Sequence, residues 1–379
     1  MTESARILFL INGLGPGGTE RQLLYLLQGL PREQLDPLVV TVYDEVAVPA
    51  FYRPDLEALS VPLYTLSHGP GLQGRFRALS HYVSLVWRLR PRFVQSFLHY
   101  SNLIARAARP LCPPHVLYTS ARGVFSRRGL KSEAYTAWLD NGLVVNARHI
   151  AEQVLQNTRR SPHRIYHIPN GVQLDRFAAN PDPGLRDRLF PGARFVVGMV
   201  ARIVREKDHM TVLRALCLLP DEVRRHLRVF FVGDTPDNAL RWEMMGFVGS
   251  HGLEAIVQQL PVTDMISACY HAADVLVLSS IQEGFPNVIL EAFAANKPAI
   301  VSEAADREGL VQPSFNGWRF TTGDAQALAE RILSAYNASS STRAQLSAGA
   351  LRTAREYDVK SMVSRYSSLY LQHVKANAR

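Results

Sequence analysis

Short, unbroken apolar runs recur along the chain, each followed by a polar or Gly-rich turn and then by apolar residues at helical spacing. Residues 5–11 are the first such run, with a Gly-rich loop at 13–18 and a helical pattern over 19–30 behind it. The runs at 38–43, 93–97, 116–119 and 142–146 read as further strands. Strands that are apolar throughout, rather than alternating, belong to parallel sheets buried on both faces. A second series opens at 195–200 and continues with a helix at 208–219 and strands at 227–232, 275–278 and 299–302. Strand–helix alternation in both series predicts an α/β chain with two doubly wound parallel sheets. The turn-rich stretch Asn180-Pro181-Asp182-Pro183-Gly184 lies between them as a linker candidate, and a helical pattern over 361–375 ends the chain.

A length of 379 residues fits two domains, and 47% apolar with 20% charged residues is the composition of a folded chain. No apolar run approaches the roughly 20 residues that cross a bilayer, and 5–11 is too short for a secretory signal. The expected compartment is the cytoplasm. Cys112, Cys217 and Cys269 lie far apart with no metal or redox spacing, and read as small core residues.

Charge changes the picture more. Of the net +9, +8 falls on residues 1–180, and no acidic residue stands between Glu57 and Glu133. That interval holds Arg75, Arg77, Arg88, Arg90, Arg92, Arg106, Arg109, Arg122, Arg127, Arg128 and Lys131. Such a surface attracts anions. Residues 74–92, with Phe76, Tyr82 and Trp87 among the arginines, have two readings: a basic amphipathic helix on an anionic bilayer, or a core-packed helix with a basic outer face. An anionic membrane contacted through residues 75–131 is therefore an expected partner, at the inner face of the plasma membrane. No nucleic-acid-binding motif is present, and no nucleic-acid partner is expected.

Candidate chemistry concentrates in Ile281-Gln282-Glu283-Gly284-Phe285-Pro286-Asn287-Val288-Ile289-Leu290-Glu291. It follows the apolar run 274–280 and opens a helix, so two carboxylates eight apart bracket a strand-to-helix turn. The free N–H groups and positive dipole end of such a turn suit a phosphate. Carboxylates beside it suit hydroxyls, and a nucleotide sugar carries both. This segment resembles the Glu-x7-Glu motif of family 4 retaining glycosyltransferases, which have the GT-B fold. The resemblance spans nearly the whole chain and is strongest over 168–320.

The resemblance implies two Rossmann-like domains facing across an interdomain cleft. An acceptor-binding domain is expected over 1–178, a donor-binding domain over 179–358, and a final helix over 359–379 that crosses back to the first domain. It implies a metal-independent hexosyltransferase with no cofactor beyond its nucleoside-diphosphate-sugar co-substrate. The acceptor would be a lipid-linked or oligosaccharide intermediate of bacterial surface polysaccharide. Arg202 and Lys207 keep the family's Arg-x4-Lys spacing, with Ala201 and Asp208 where glycines are usual, and would neutralise the leaving diphosphate. Glu283 would accept from sugar hydroxyls and Glu291 from the ribose. Gly284, Phe285 and Pro286 shape the turn, and the N–H groups of Asn287, Val288 and Ile289 would hold phosphate oxygens. His99, past a strand end in the first half, would orient acceptor or donor. Gly17 and Gly18 resemble the loop that approaches the donor phosphate and the acceptor, and Asn170, in Pro169-Asn170-Gly171, matches a family turn near the domain boundary.

One departure counts against a simple transfer of roles: Ser302-Glu303-Ala304-Ala305-Asp306 lacks the family's paired glycines. The run Gly13-Leu14-Gly15-Pro16-Gly17-Gly18 also satisfies G-x-G-x-x-G, with Asp44 or Glu45 after the second strand, although Pro16 is awkward for close pyrophosphate packing. A dinucleotide oxidoreductase is thus one alternative, a GT-B nucleotide-sugar epimerase another. No Asp-x-Asp and no His/Cys/Asp cluster has metal-ligand spacing, so no metal is expected.

Overall fold

The computed structural model describes residues 4–44, 47–48, 50–66 and 71–376; Glu45 lies outside them. The chain forms two units, Met1–Gly171 with Val359–Arg379, and Val172–Asp358. The Asn180–Gly184 turn therefore falls inside the second unit.

Among its described residues the first unit carries seven parallel strands: β1 (Ala5–Ile11), β2 (Leu35–Thr41), β3 (Leu63–Thr65), β4 (Phe93–Ser96), β5 (Val116–Ala121), β6 (Gly142–Val145) and β7 (Ile165–His167). Their order is β3-β2-β1-β4-β5-β6-β7. β1 shows why its sequence is unbroken. Ile7, Phe9 and Ile11 pack with the helices Gly18–Gly29 and Val359–Ala376, while Leu8 and Leu10 pack with Gly71–Leu89 and His99–Ala108. Both faces are buried, so neither can be polar. The last helix thus belongs to the first unit, with Val363 against Gly29.

The second unit carries β8 (Phe195–Val200), β9 (Leu227–Val232), β10 (Val257–Leu260), β11 (Val275–Leu278), β12 (Ala299–Ser302) and β13 (Gly317–Phe320), all parallel, in the order β10-β9-β8-β11-β12-β13. In both sheets the order reverses beside the first strand, between β1 and β4 and between β8 and β11. In open α/β sheets the crevice at the carboxyl ends of such a strand pair is where ligands bind.

Of the cysteines only Cys269 is buried; Cys112 and Cys217 are half-buried thiols. The anion-attracting surface also needs correction. Arg106 is 2% exposed and ion-paired with Glu133 and Asp140. Arg109 donates to the Leu139 carbonyl, Arg92 to the His373 carbonyl, and Arg122 to Asn170 and Tyr366. Arginine in sequence marks charge, but a helix face turned inward spends that charge on buried carboxylates. No helix among the described residues is long and apolar enough to cross a membrane.

Candidate active site

The switch point of the second sheet gathers most of the expected residues. The loop after β8 carries Arg202, exposed, and Lys207, half-buried. The loop after β11 carries Glu283, and Lys207 Nζ pairs with its Oε1. Three further bonds lash the two loops into one surface, and a fourth fixes Glu283 within its own loop. Ile281 N–H donates to the Glu206 carbonyl (2.9 Å). Ser279 Oγ is bonded to the carbonyls of Lys207 (3.0 Å) and Asp208 (2.9 Å), and Ser280 Oγ donates to Glu283 Oε1 (2.7 Å). Ser280 and Ser302 are fully buried, and Ser302 Oγ in turn donates to the Ser280 carbonyl (2.6 Å). Gly233, just past β9, makes the loop geometry possible, since a Cβ there would sit 1.9 Å from the Ala201 carbonyl oxygen.

Asp208 holds a left-handed backbone (φ 49°), the conformation that the missing glycine would adopt freely. Its carboxylate caps the helix His209–Cys217, accepting from Thr211 N (3.2 Å) and Thr211 Oγ1 (2.6 Å). An aspartate tolerates αL better than most residues, and the cap compensates for the substitution. Behind it His209 is buried against the Phe231 ring, centroids 5.1 Å apart. Burial, and then the Lys207 charge, push its imidazole down to about 3, so it stays neutral beside the cation.

Gly284, Phe285 and Pro286 lead into the helix Asn287–Ala294, with Phe285 buried against the Tyr357 ring. Of the three expected phosphate donors, Asn287 N–H is turned to the Phe285 carbonyl (3.0 Å) and Ile289 N–H to the Pro286 carbonyl (3.0 Å). No carbonyl of the described residues accepts from the Val288 N–H. Glu291 is 5% exposed and accepts from Tyr270 Oη (2.7 Å). The two motif carboxylates thus have different partners, a lysine for Glu283 and a tyrosine hydroxyl for Glu291. The loop after β12, where the paired glycines are lacking, is a structural knot. Buried Asp306 accepts from Leu310 N, Val311 N and Arg319 Nη1.

The first unit builds a separate constellation. Gly17 caps the helix Gly18–Gly29, but the Glu20 carboxylate folds over it, so that a Cβ on Gly17 would lie 2.1 Å from Glu20 Oε2. Burial raises the Glu20 carboxyl above its usual range, offset by a bond to its own backbone and by Arg122. This helix start already holds an anion of its own, and a dinucleotide pyrophosphate would have to displace it. Gln22 makes a pair of hydrogen bonds to Gly171, donating to its carbonyl and accepting from its N–H, each 2.8 Å. Buried Asn170 accepts from Arg122 Nη1 (2.6 Å), and Arg122 also donates to Tyr366 Oη (2.7 Å). Gly17, Asn170 and the last helix are joined through these contacts.

His99 opens the helix His99–Ala108, directly after Leu98, whose φ of 72° and ψ of 157° are a glycine's conformation. A non-glycine there costs about 1–3 kcal/mol and is tolerated where surroundings dictate it. His99 and Leu98 line a cavity of about 330 Å³ with Asn102, Arg122, Phe125 and Ser126. Desolvation, then Arg106, with Glu133 opposing, hold the His99 imidazole below its usual value. It is neutral at neutral pH, and either donates or accepts.

Ser279, Ser280, Gly233 and Glu20 were not among the site residues expected from sequence, and Arg122 was counted there only as a surface cation. The two serines had a signal, small polar residues closing a buried strand. The others are legible only from packing.

The family model described as Glycosyl transferases group 1 matches residues 185–352, and that described as Glycosyltransferase Family 4 matches residues 16–176. The chain is 25% identical over 342 residues to an Escherichia coli enzyme, UDP-Gal:alpha-D-GlcNAc-diphosphoundecaprenol alpha-1,3-galactosyltransferase, covering 83% of this chain and 84% of that one. It is 27% identical over 305 residues to the D-inositol 3-phosphate glycosyltransferase of Geodermatophilus obscurus, covering 77% and 66%. Among solved structures, Anabaena HepE in complex with UDP superposes with a TM-score of 0.85 at 21% identity, covering 97% of this chain and 100% of that one. Both sheets thus have the strand arrangement of a GT-B fold.

Proposed function

We propose that this chain, which belongs to glycosyltransferase family 4, moves a hexose from a nucleoside diphosphate sugar to a hydroxyl acceptor with retention at the anomeric carbon. The acceptor we assign is a lipid-linked or oligosaccharide intermediate of a bacterial surface polysaccharide. The observation that carries the donor assignment is the Lys207–Glu283 pair at the switch point of the second sheet, held by Ser280. The uridine diphosphate sugar named for the Escherichia coli relative, and UDP in the Anabaena structure, support uracil as the base.

The second unit holds the donor. Arg202, Lys207 and the Val288 N–H face the diphosphate, Glu283 accepts from sugar hydroxyls, and Glu291 serves the ribose. Gly284, Phe285 and Pro286 set the turn, with Asn287 and Ile289 backbone as its frame. The first unit receives the acceptor, with His99 orienting its hydroxyl and Gly17, Gly18 and Asn170 shaping the wall. In the transfer, the bond from anomeric carbon to phosphate oxygen breaks and the acceptor oxygen bonds that carbon on the same face. The acceptor proton passes to the departing phosphate oxygen. Charge develops on the diphosphate, where fixed cations stabilise it most; these cations do the work of a metal ion.

A melting-shift screen against UDP, GDP, ADP, their sugars, NAD and NADP tests the donor site, because ligands that bind the native state raise Tm by mass action. A shift with UDP and its sugar is expected, and a shift with NAD or NADP alone would overturn the reading. Ser280→Ala checks the orientation of Glu283. Loss of one hydrogen bond worth about 1 kcal/mol lowers kcat/KM for the donor roughly five-fold, with Tm falling by only about 2–4 °C. An unchanged kcat/KM would mean that Ser280 does not position Glu283.

A further inference from the structure

The helix Arg127–Thr136 divides its residues unusually. Its one carboxylate, Glu133, is 2% exposed and turned inward to Arg106 and Arg160. Arg127, Arg128 and Lys131 are exposed. Tyr135 is 77% exposed and Trp138, in the turn Ala137–Leu139 that continues the helix, 71%. Arg128, Lys131, Tyr135 and Trp138 follow at intervals of three and four, so they share one side. Burying large rings is the ordinary fate of tyrosine and tryptophan; here both stand in solvent, and the carboxylate of their helix, Glu133, is buried away from them. The Trp138 indole is held in place, its Nε1–H donating to the Tyr135 carbonyl (3.0 Å).

We infer that this helix, with Tyr135 and Trp138 as anchors and Arg127, Arg128 and Lys131 as cations, docks the first unit on an anionic phospholipid surface. Basic side chains beside amphipathic aromatic rings are what the headgroup layer accommodates. The inward ion pairs of Glu133 contribute directly, by removing the one charge on this helix that such a surface would repel. The same helix has a second task. Its Ser126 cap and Gly129 line the cavity that holds His99, so contact with the bilayer sets the cavity beside the membrane. This use of the cavity rests on the proposed acceptor, whereas the docking itself does not. The expected contact span, 75–131, includes these three cations; it also includes most of the helix Gly71–Leu89, where Phe76 is exposed and Arg90, just past the helix end, stacks on the Trp87 ring at 4.6 Å.

Flotation of the full chain with vesicles of phosphatidylcholine alone, and of phosphatidylcholine with phosphatidylglycerol, tests the inference. Binding is expected to the anionic vesicles and to weaken with salt. Each of Arg127→Gln, Arg128→Gln and Lys131→Gln should lower partitioning about five-fold, and Tyr135→Ser/Trp138→Ser should abolish it without changing Tm. Brominated lipid should quench tryptophan emission, and Trp138→Phe should remove that quenching while Trp242→Phe, in the second unit, does not. Equal binding to neutral vesicles, unaltered binding of the aromatic double variant, or loss only in Phe76→Ser/Trp87→Ser would overturn it. The UDP melting shift should be the same in every variant, so a failed donor reading shows as its absence in the parent chain and leaves the vesicle result standing.

Discussion

Lys207→Ala is expected to lower kcat for sugar transfer by about 10²–10³-fold, the usual cost of removing one fixed group aimed at developing charge. The lysine has two tasks in the structure. It supplies a cation at the switch point of the second sheet, and it holds Glu283 through the ion pair. Without it Glu283 keeps the Ser280 hydroxyl as a partner, and both the diphosphate and the sugar hydroxyls lose a preset contact. Glu283→Gln keeps the shape, loses the charge, and should fall by a similar factor. Because the two act as a pair, Lys207→Ala/Glu283→Gln should be little worse than either single variant, which a double-mutant cycle reads directly. Stability is a poor reporter here. Both side chains are partly exposed, 23% and 13%, and such a pair contributes about 1 kcal/mol or less. A Lys207→Ala protein that transfers sugar within a few-fold of the parent would remove this pair from the mechanism.

Much of this site was legible because strand ends are. Apolar runs at 5–11, 195–200 and 275–278 mark buried strands whose carboxyl ends must open into loops, and Arg202, Lys207 and Glu283 stand in those loops. The strands at Leu63–Thr65, Ile165–His167, Val257–Leu260 and Gly317–Phe320 were not visible. They form or adjoin sheet edges; Gln258 and Gln259 on the second sheet's outer strand are exposed, so no unbroken apolar run is required there. Side-chain partners were harder still. Nothing local says that Glu20 folds over Gly17, that Glu291 meets Tyr270, or that Asp306 ties a loop in place of the family's glycines. The largest misreading was electrostatic. An interval free of acidic residues looks like a uniformly basic surface, yet Arg106 reaches past it to carboxylates at 133 and 140. Linear charge density records what a segment carries and is blind to which face the helix turns inward.

That buried cluster sets the second large effect. Arg106 and Arg160 lie between Glu133 and Asp140, all four at 7% exposure or less. Asp140 Oδ2 alone receives Arg106 Nε (2.8 Å), Arg160 Nη2 (2.8 Å) and Thr119 Oγ1 (2.9 Å). Arg106→Met is expected to cost about 3–5 kcal/mol, because it leaves two desolvated carboxylates with one cation. For a unit of this size that lowers Tm by roughly 10 °C, read by calorimetry. Arg106→Lys should rescue little, since a point charge cannot span both carboxylates as the guanidinium fork does. Replacing all four residues with apolar ones of matched volume should recover most of the loss, as buried ion pairs do not stabilise much over a packed core. The recovered protein would then differ from the parent in one respect that matters. The cluster joins the helix His99–Ala108 to the helix Arg127–Thr136, the two that wall the His99 cavity. If its purpose is to hold that wall, the apolar replacement should regain Tm but keep a raised KM for the acceptor, with donor KM unchanged. If both constants return to the parent's values, the four charges are a solution to packing alone, and the cavity owes its shape to Leu98 and its strained backbone.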